Sequence, residues 1–182
     1  MCDREVLKTL FNSSLLGVVG TKSGRNFVKL KESDSGAKLK NVDIFDVATD
    51  SVLVNLDRSD PSSSLFVKSE GKRKRCDYLL ITEVNDEKYI FFIELKSGKI
   101  SRYIGQQFKG AECIVDYCDS TLSRFHEIDA FFKGYKKRFI CFYKPLISKK
   151  PTRLFKPNPL HSRPENMWKY PSPHNPSIKQ LI

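Results

Sequence analysis

The chain has no uninterrupted apolar run of eighteen residues, so no segment of it reads as a membrane-spanning helix. Asp3, Arg4 and Glu5 stand ahead of a short apolar stretch, and no signal-peptide pattern follows. Internal repeats, a P-loop and a glycine-rich dinucleotide fingerprint are missing, which argues against repeat architectures and nucleotide-cofactor folds. Histidine is scarce, with three in 182 residues. The five cysteines (Cys2, Cys76, Cys113, Cys118 and Cys141) are scattered and odd in number. Cys113 and Cys118 are not spaced like a zinc knuckle and no second pair supports them, so no zinc site is expected. Without a secretory signal these thiols are expected to be reduced, and the compartment cytoplasmic. Acid is also in deficit: 21 Asp and Glu against 32 Lys and Arg leave a net charge of +11. Many basic proteins bind no nucleic acid, so the charge fits a polyanionic partner without specifying one.

The stretch from Lys72 to Gln107 carries the strongest signal. Two apolar runs, Cys76–Ile81 and Tyr89–Leu95, flank a turn-like Asn85-Asp86-Glu87. Their aromatic and branched residues predict strands of a hairpin. Successive strand residues face opposite sides, so Glu94 and Lys96 share a face and Leu95 points away. A two-residue loop at Asn85-Asp86 makes partners sum to 171 and sets Asp77 opposite Glu94; a four-residue loop sets it opposite Lys96. The two registers differ by two residues, so Asp77 shares the face of Glu94 and Lys96 in both. The expected neighbours of this patch are Tyr78, Leu80, Phe92 and Leu95.

Two carboxylates this close resist ionisation unless a cation neutralises them. Mg²⁺ (or Mn²⁺) suits such a pair, taking one or two carboxylates and leaving other positions to water and phosphate. Lys96 is placed to orient or activate a water, or to offset charge developing on phosphate. The plain alternative is a Glu–Lys pair at a solvated strand end with Asp77 unrelated; the register and apolar flanks favour the site.

Asp77, then Glu94-Leu95-Lys96, then Gln106 on a following helix resembles the PD-(D/E)XK nuclease superfamily. The resemblance spans about Glu70 to Tyr143, and Cys76 stands where the motif has proline. It implies a restriction-endonuclease-like α/β (α+β) fold, a mixed sheet flanked by helices. It also implies metal ligands Asp77, Glu94 and the Leu95 carbonyl, with Lys96 as the catalytic lysine and Gln106 as an auxiliary residue. The acid that some members carry on their first helix would here be Glu5, a weak match.

Taken in order, residues 3–16 predict a helix with Val6, Leu7, Leu10 and Phe11 as its apolar stripe and Gly17 as its stop. Residues 18–40 are weakly patterned, with one alternating strand at residues 27–31; Lys22, Arg25, Lys29 and Lys31 are read there as solvated. Residues 41–56 alternate, and the run Val52–Leu56 is expected beside the hairpin. Residues 58–64 predict a loop. Lys72, Arg73, Lys74 and Arg75 enter the strand carrying Asp77, which favours phosphate-backbone contacts over a nuclear-localisation signal. Ser101 is a candidate helix cap, and Lys99, Arg102 and Lys109 are further phosphate-contact candidates. Ile104, Phe108, Ala111, Val115 and Cys118 form a seam that packs this helix on the sheet. Residues 119–134 read as a second helical or irregular segment, with His126 on the surface, and residues 139–143 as a further strand.

Residues 1–143 thus form the expected nuclease-like domain. Residues 144–182 carry eight of the nine prolines, eight Lys or Arg and a single acid, Glu165. They are expected to make a basic tail without regular helix or sheet, extended or packed on the domain. Phe155, Trp168 and Tyr170 are either stacking groups for nucleic acid or anchors on the tail's own domain. The functional expectation is a Mg²⁺-dependent endonuclease acting on DNA, in restriction, phage defence or repair. RNA as substrate, and a partner-dependent binding subunit that kept the fold, are the alternatives. The expected partner is nucleic acid, with a homodimer or protein partner suiting double-strand cutting, and no membrane.

Overall fold

A computed structural model describes residues 3–59, 66–67, 71–98, 100–101, 103–144, 157–171 and 175–182. In chain order the elements are α1 (Asp3–Leu10), β1 (Leu16–Gly17), β2 (Val19–Lys22), β3 (Arg25–Lys31), β4 (Asn41–Phe45), β5 (Val52–Asn55), β6 (Tyr78–Val84), β7 (Glu87–Lys96), α2 (Ile104–His126), β8 (Lys136–Tyr143) and β9 (Trp168–Pro171). Short 3-10 turns fill Ser13–Leu15, Pro159–Ser162, Pro164–Asn166 and Ile178–Leu181. The fold is α+β: a mixed six-stranded sheet in the order β1-β5-β6-β7-β8-β9, and a three-stranded sheet β2-β3-β4.

The β6–β7 hairpin is the centre of the large sheet. Asn85 and Asp86 take left-handed φ of 52° and 61°, as a two-residue primed turn requires. Pairing runs from Val84 opposite Glu87 to Tyr78 opposite Ile93, so partners sum to 171 and the two-residue loop holds. β5 lies antiparallel to β6, as expected, while β8 and β9 add in parallel beyond β7. The long crossover that a β7–β8 parallel pair demands is supplied by α2.

Alternation along the strands splits the core in two. Leu79, Ile81, Ile90, Phe92, Phe139 and Cys141 pack with Ile104, Phe108, Ala111 and Val115 of α2 and with Leu7 of α1. Tyr78, Leu80, Phe91, Ile93, Leu95, Ile140 and Phe142 face the other way, against Val28, Leu30, Val42 and Ile44 of the small sheet. Each fully buried Phe or Leu here stabilises the fold by roughly 2 kcal/mol. Glu94 and Lys96 continue the α2 side. Of the neighbours expected around the site, only Phe92 shares that face; Tyr78, Leu80 and Leu95 belong to the opposite layer.

Several local expectations are corrected. The first helix stops at Leu10, because the Asn12 side chain accepts the Ser14 N–H at 2.9 Å and opens a separate 3-10 turn. Val19–Lys22 is a strand, hairpinned to β3 through Ser23-Gly24 with φ of 50° and 73°. α2 runs without a break to His126, where Glu127 turns left-handed and ends it. Residues 144–182 do contribute regular structure. β9 pairs with β8, Trp168 and Tyr170 are buried, and Ile178 and Leu181 close the core under the small sheet. Proline is tolerated because β9 is an edge strand and Pro171 lies at its end. The expected loop beyond Ser59, and Phe155, lie outside the described residues, as do Lys99, Arg102 and Cys2.

Candidate functional site

The site lies on the α2 face at the C-terminal end of β7. Glu94 is fully buried, the most enclosed acid of this face, held there by strands on both sides and by α2 above. Its Oε1 pairs with the Lys96 ammonium and accepts the Gln107 amide at 2.7 Å. Its Oε2 is buried and has no hydrogen-bond partner among the described residues. Asp77 immediately precedes β6, and continuing the register sets it opposite Glu94. Its Oδ2 accepts the Leu95 N–H at 2.7 Å, while its own carbonyl accepts the Leu56 N–H at 2.8 Å. Asp77 is thereby fixed from both neighbouring strands.

Electrostatics follow from this enclosure. Burial, then the Glu94 charge, push the Asp77 carboxyl up to about 8, against the pull of the Leu95 N–H and Lys96. Burial also raises Glu94, opposed by Lys96 and Gln107. Burial alone would lower Lys96, but Glu94 and Asp77 hold its ammonium above the ordinary lysine value. Cys76 and Cys141 flank the carboxylates as neutral thiols, raised by burial and then by the nearby Glu94 charge, Cys141 up to about 12. The two carboxyls therefore resist being ionised together. A divalent cation between them would relieve that repulsion.

The sequence-predicted residues separate into two groups. Asp77, Glu94 and Lys96 converge as expected. Gln106 does not reach them: its Oε1 accepts from Lys74 at 3.4 Å, at the foot of the 71–75 turn. The glutamine on Glu94 is Gln107. Helical phase accounts for the difference, since Gln107 is three residues from Ile104 and four from Ala111, within the buried stripe, whereas Gln106 lies off it. Glu5 is exposed and paired with Lys8 on α1. Glu32, just beyond β3, is the additional acid whose charge acts on Asp77. The Tyr78 hydroxyl holds that strand end in place, donating to the Lys31 carbonyl at 2.7 Å and accepting its N–H at 3.0 Å.

Of the basic cluster, Arg75 is turned inward, its Nε donating to the Leu56 carbonyl at 2.8 Å. Lys74 lies over the Tyr103 ring at 5.4 Å. The turn is clamped to α2 by Gly110, where a Cβ would stand 1.7 Å from the Lys74 carbonyl oxygen. Lys72, exposed, and Arg73, half-buried, sit on the same turn in a stretch that leads straight to Asp77. Among the described residues no group of three or more His, Cys, Asp or Glu side chains is gathered as a metal cage. The pair Asp77 and Glu94, adjacent carboxyls with an unpartnered buried Oε2, nonetheless fits a cation that takes most of its ligands from water and substrate. No helix of the described residues is long and apolar enough to cross a membrane.

No protein-family model, no curated protein and no solved structure matches this chain.

Proposed function

We propose that this chain is a divalent-metal-dependent phosphodiesterase acting on nucleic acid, DNA in the first instance, built on a restriction-endonuclease-like core. The observation that carries the reading is Glu94: a fully buried carboxylate with one orphaned oxygen, set beside a second carboxylate and a lysine on one sheet face. A stability-driven fold gains little from such a group, because two desolvated acids cost more than an apolar pair of the same volume. Asp77, Glu94 and the Leu95 carbonyl would hold Mg²⁺ or Mn²⁺. When bound, the ion supplies Lewis-acid neutralisation of phosphate charge. Lys96 keeps its proton and is one strand period from Glu94 on the same face, so it offers N–H donors to an attacking water or a phosphate oxygen. Gln107 fixes the Glu94 carboxylate so that its second oxygen stays available. Lys72, Arg73 and Lys74 bring positive charge to the entrance, matching the net +11 and a polyanionic substrate.

A second reading has its own observation. Lys96 and Gln107 already satisfy one Glu94 oxygen, and a protonated Asp77 makes the cluster neutral without metal. On that basis the cluster is a structural ion group in a nucleic-acid-binding subunit. One experiment separates the two. Purified protein is incubated with supercoiled, linear, branched and single-stranded DNA and with RNA, in Mg²⁺, Mn²⁺ or EDTA, beside Lys96→Ala and Asp77→Ala. Metal titration of the wild type and Asp77→Ala by calorimetry runs alongside. Metal-dependent cleavage lost in both variants is the expected result. Equal cutting by wild type and variants, or no metal binding by the wild type, refutes it.

A further inference from the structure

The row of site residues extends sideways across the sheet. Glu94 is the partner of Cys141 on β8, and Cys141 is the partner of Lys169 on β9. Partners in a ladder share a face, so Lys169 stands on the α2 side, two strand spacings or roughly 10 Å from Glu94. It is exposed, and its charge acts on Cys141, the residue between them. Lys169 also lines an open groove of about 520 Å³ between the first turns of α2 and the C-terminal segment, with Ile100, Ser101, Ile104, Gln106 and Met167. Its other wall is the Pro164–Asn166 turn. Lys109 of α2 and Glu165 of that turn pair at 2.6 Å across the groove, so the one acid lining it among the described residues is neutralised.

These features have the composition of a nucleotide site: an apolar floor, hydroxyl and amide groups at the rim, and a lysine left facing the open side. The volume suits a single nucleotide and is too small for a duplex. We propose that the groove binds the nucleotide flanking the scissile phosphate, with Lys169 on its phosphate and Ile100, Ile104 and Met167 under its sugar and base. The word scissile rests on the phosphodiesterase reading above; occupancy by a nucleotide of a bound strand does not.

The test is fluorescence anisotropy in EDTA, where cleavage is off, with labelled single-stranded and duplex DNA and single-stranded RNA. The proteins are wild type, Lys169→Ala, Lys169→Glu and Lys169→Arg; the position is exposed, and urea midpoints check that each variant folds. Lys169→Ala is expected to weaken binding about 3- to 10-fold and Lys169→Glu more, with Lys169→Arg near wild type. The slope of log affinity against log salt is expected to shrink by about 0.7–0.9, the loss of one phosphate contact. Unchanged affinity and slope in Lys169→Glu overturn the proposal, as does a wild type that binds none of the probes. Cleavage in Mg²⁺ distinguishes the two readings. A wild type that binds through Lys169 but never cuts keeps the groove and removes the phosphodiesterase; one that cuts as fast as Lys169→Glu keeps the phosphodiesterase and removes the groove.

Discussion

Asp77→Asn is expected to make the metal-free protein more stable at alkaline pH. Asp77 is raised in the folded state from 3.8 to about 8, by burial first and by Glu94 second. Between those values the folded chain keeps the proton that the unfolded chain has released. Folding therefore takes up a proton in this window, and stability falls as pH rises through it, by at most about 1.4 kcal/mol per pH unit. Four such units set a ceiling near 5–6 kcal/mol. Lys96 and Glu94 share the charge, so about half of that, roughly 2–3 kcal/mol at pH 8, is expected. Asparagine keeps an oxygen for the Leu95 N–H, which Asp77 accepts at 2.7 Å, and carries no charge to expel. Urea unfolding in EDTA between about pH 5 and 8 measures the effect. The gap between variant and wild type should widen with pH, at unchanged m-values. Adding Mg²⁺ at about 100 times its dissociation constant should return about 2.7 kcal/mol to the wild type and nothing to Asp77→Asn. Parallel pH curves, or a wild type more stable than the variant at pH 8 in EDTA, would refute the reasoning.

Gln107→Ala removes a neutral donor from the buried Glu94 carboxylate and is expected to cost about 1–3 kcal/mol, whereas Gln106→Ala, which leaves Glu94 untouched and frees only a long contact to the exposed Lys74, should cost less, about 0.5 kcal/mol; urea midpoints decide. Gly110→Ala drives a Cβ to 1.7 Å from the Lys74 carbonyl, so α2 and the 71–75 turn must part. A loss of about 2 kcal/mol or more by thermal unfolding is expected, and cleavage should fall with it. Trp168→Ala should cost about 3–5 kcal/mol, because the indole is buried against Tyr170 and stacks on His161, and a freely extended tail would show no such loss.

The heart of the molecule was legible because strong local rules agreed there. Asn85-Asp86 signals a turn, either loop length sets Asp77, Glu94 and Lys96 on one face, and the structure takes the two-residue form. The apolar seam of α2 was equally plain, and all its members are buried. That same seam held the signal for Gln107, since phase and not proximity to Lys96 decides which glutamine turns inward. Glu32 gave no signal. It reaches Asp77's surroundings only because Tyr78 anchors Lys31 across the two sheets, a contact 47 residues apart that no periodicity encodes. The small sheet was half seen for a similar reason: Val19–Lys22 is short and partly exposed, and only pairing with β3 makes it a strand.

In the C-terminal segment composition argues against a strand that the structure contains, and the reason bears on function. Proline removes donors, and a run of it argues against a central strand; it does not argue against an edge. Trp168, Lys169 and Tyr170 alternate buried, exposed, buried, which is the period of a strand with one face on a core. The two aromatics that looked available for stacking on bases are spent on the sheet interior, where they hold β9 against β8. Burying them orients the residue between them: Lys169 must point to the α2 side, level with Glu94. Lys169 is thus carried by a strand paired into the sheet. A contact made from such a strand loses little side-chain and no backbone freedom on binding, so one lysine there should matter more than its neighbours in number suggest.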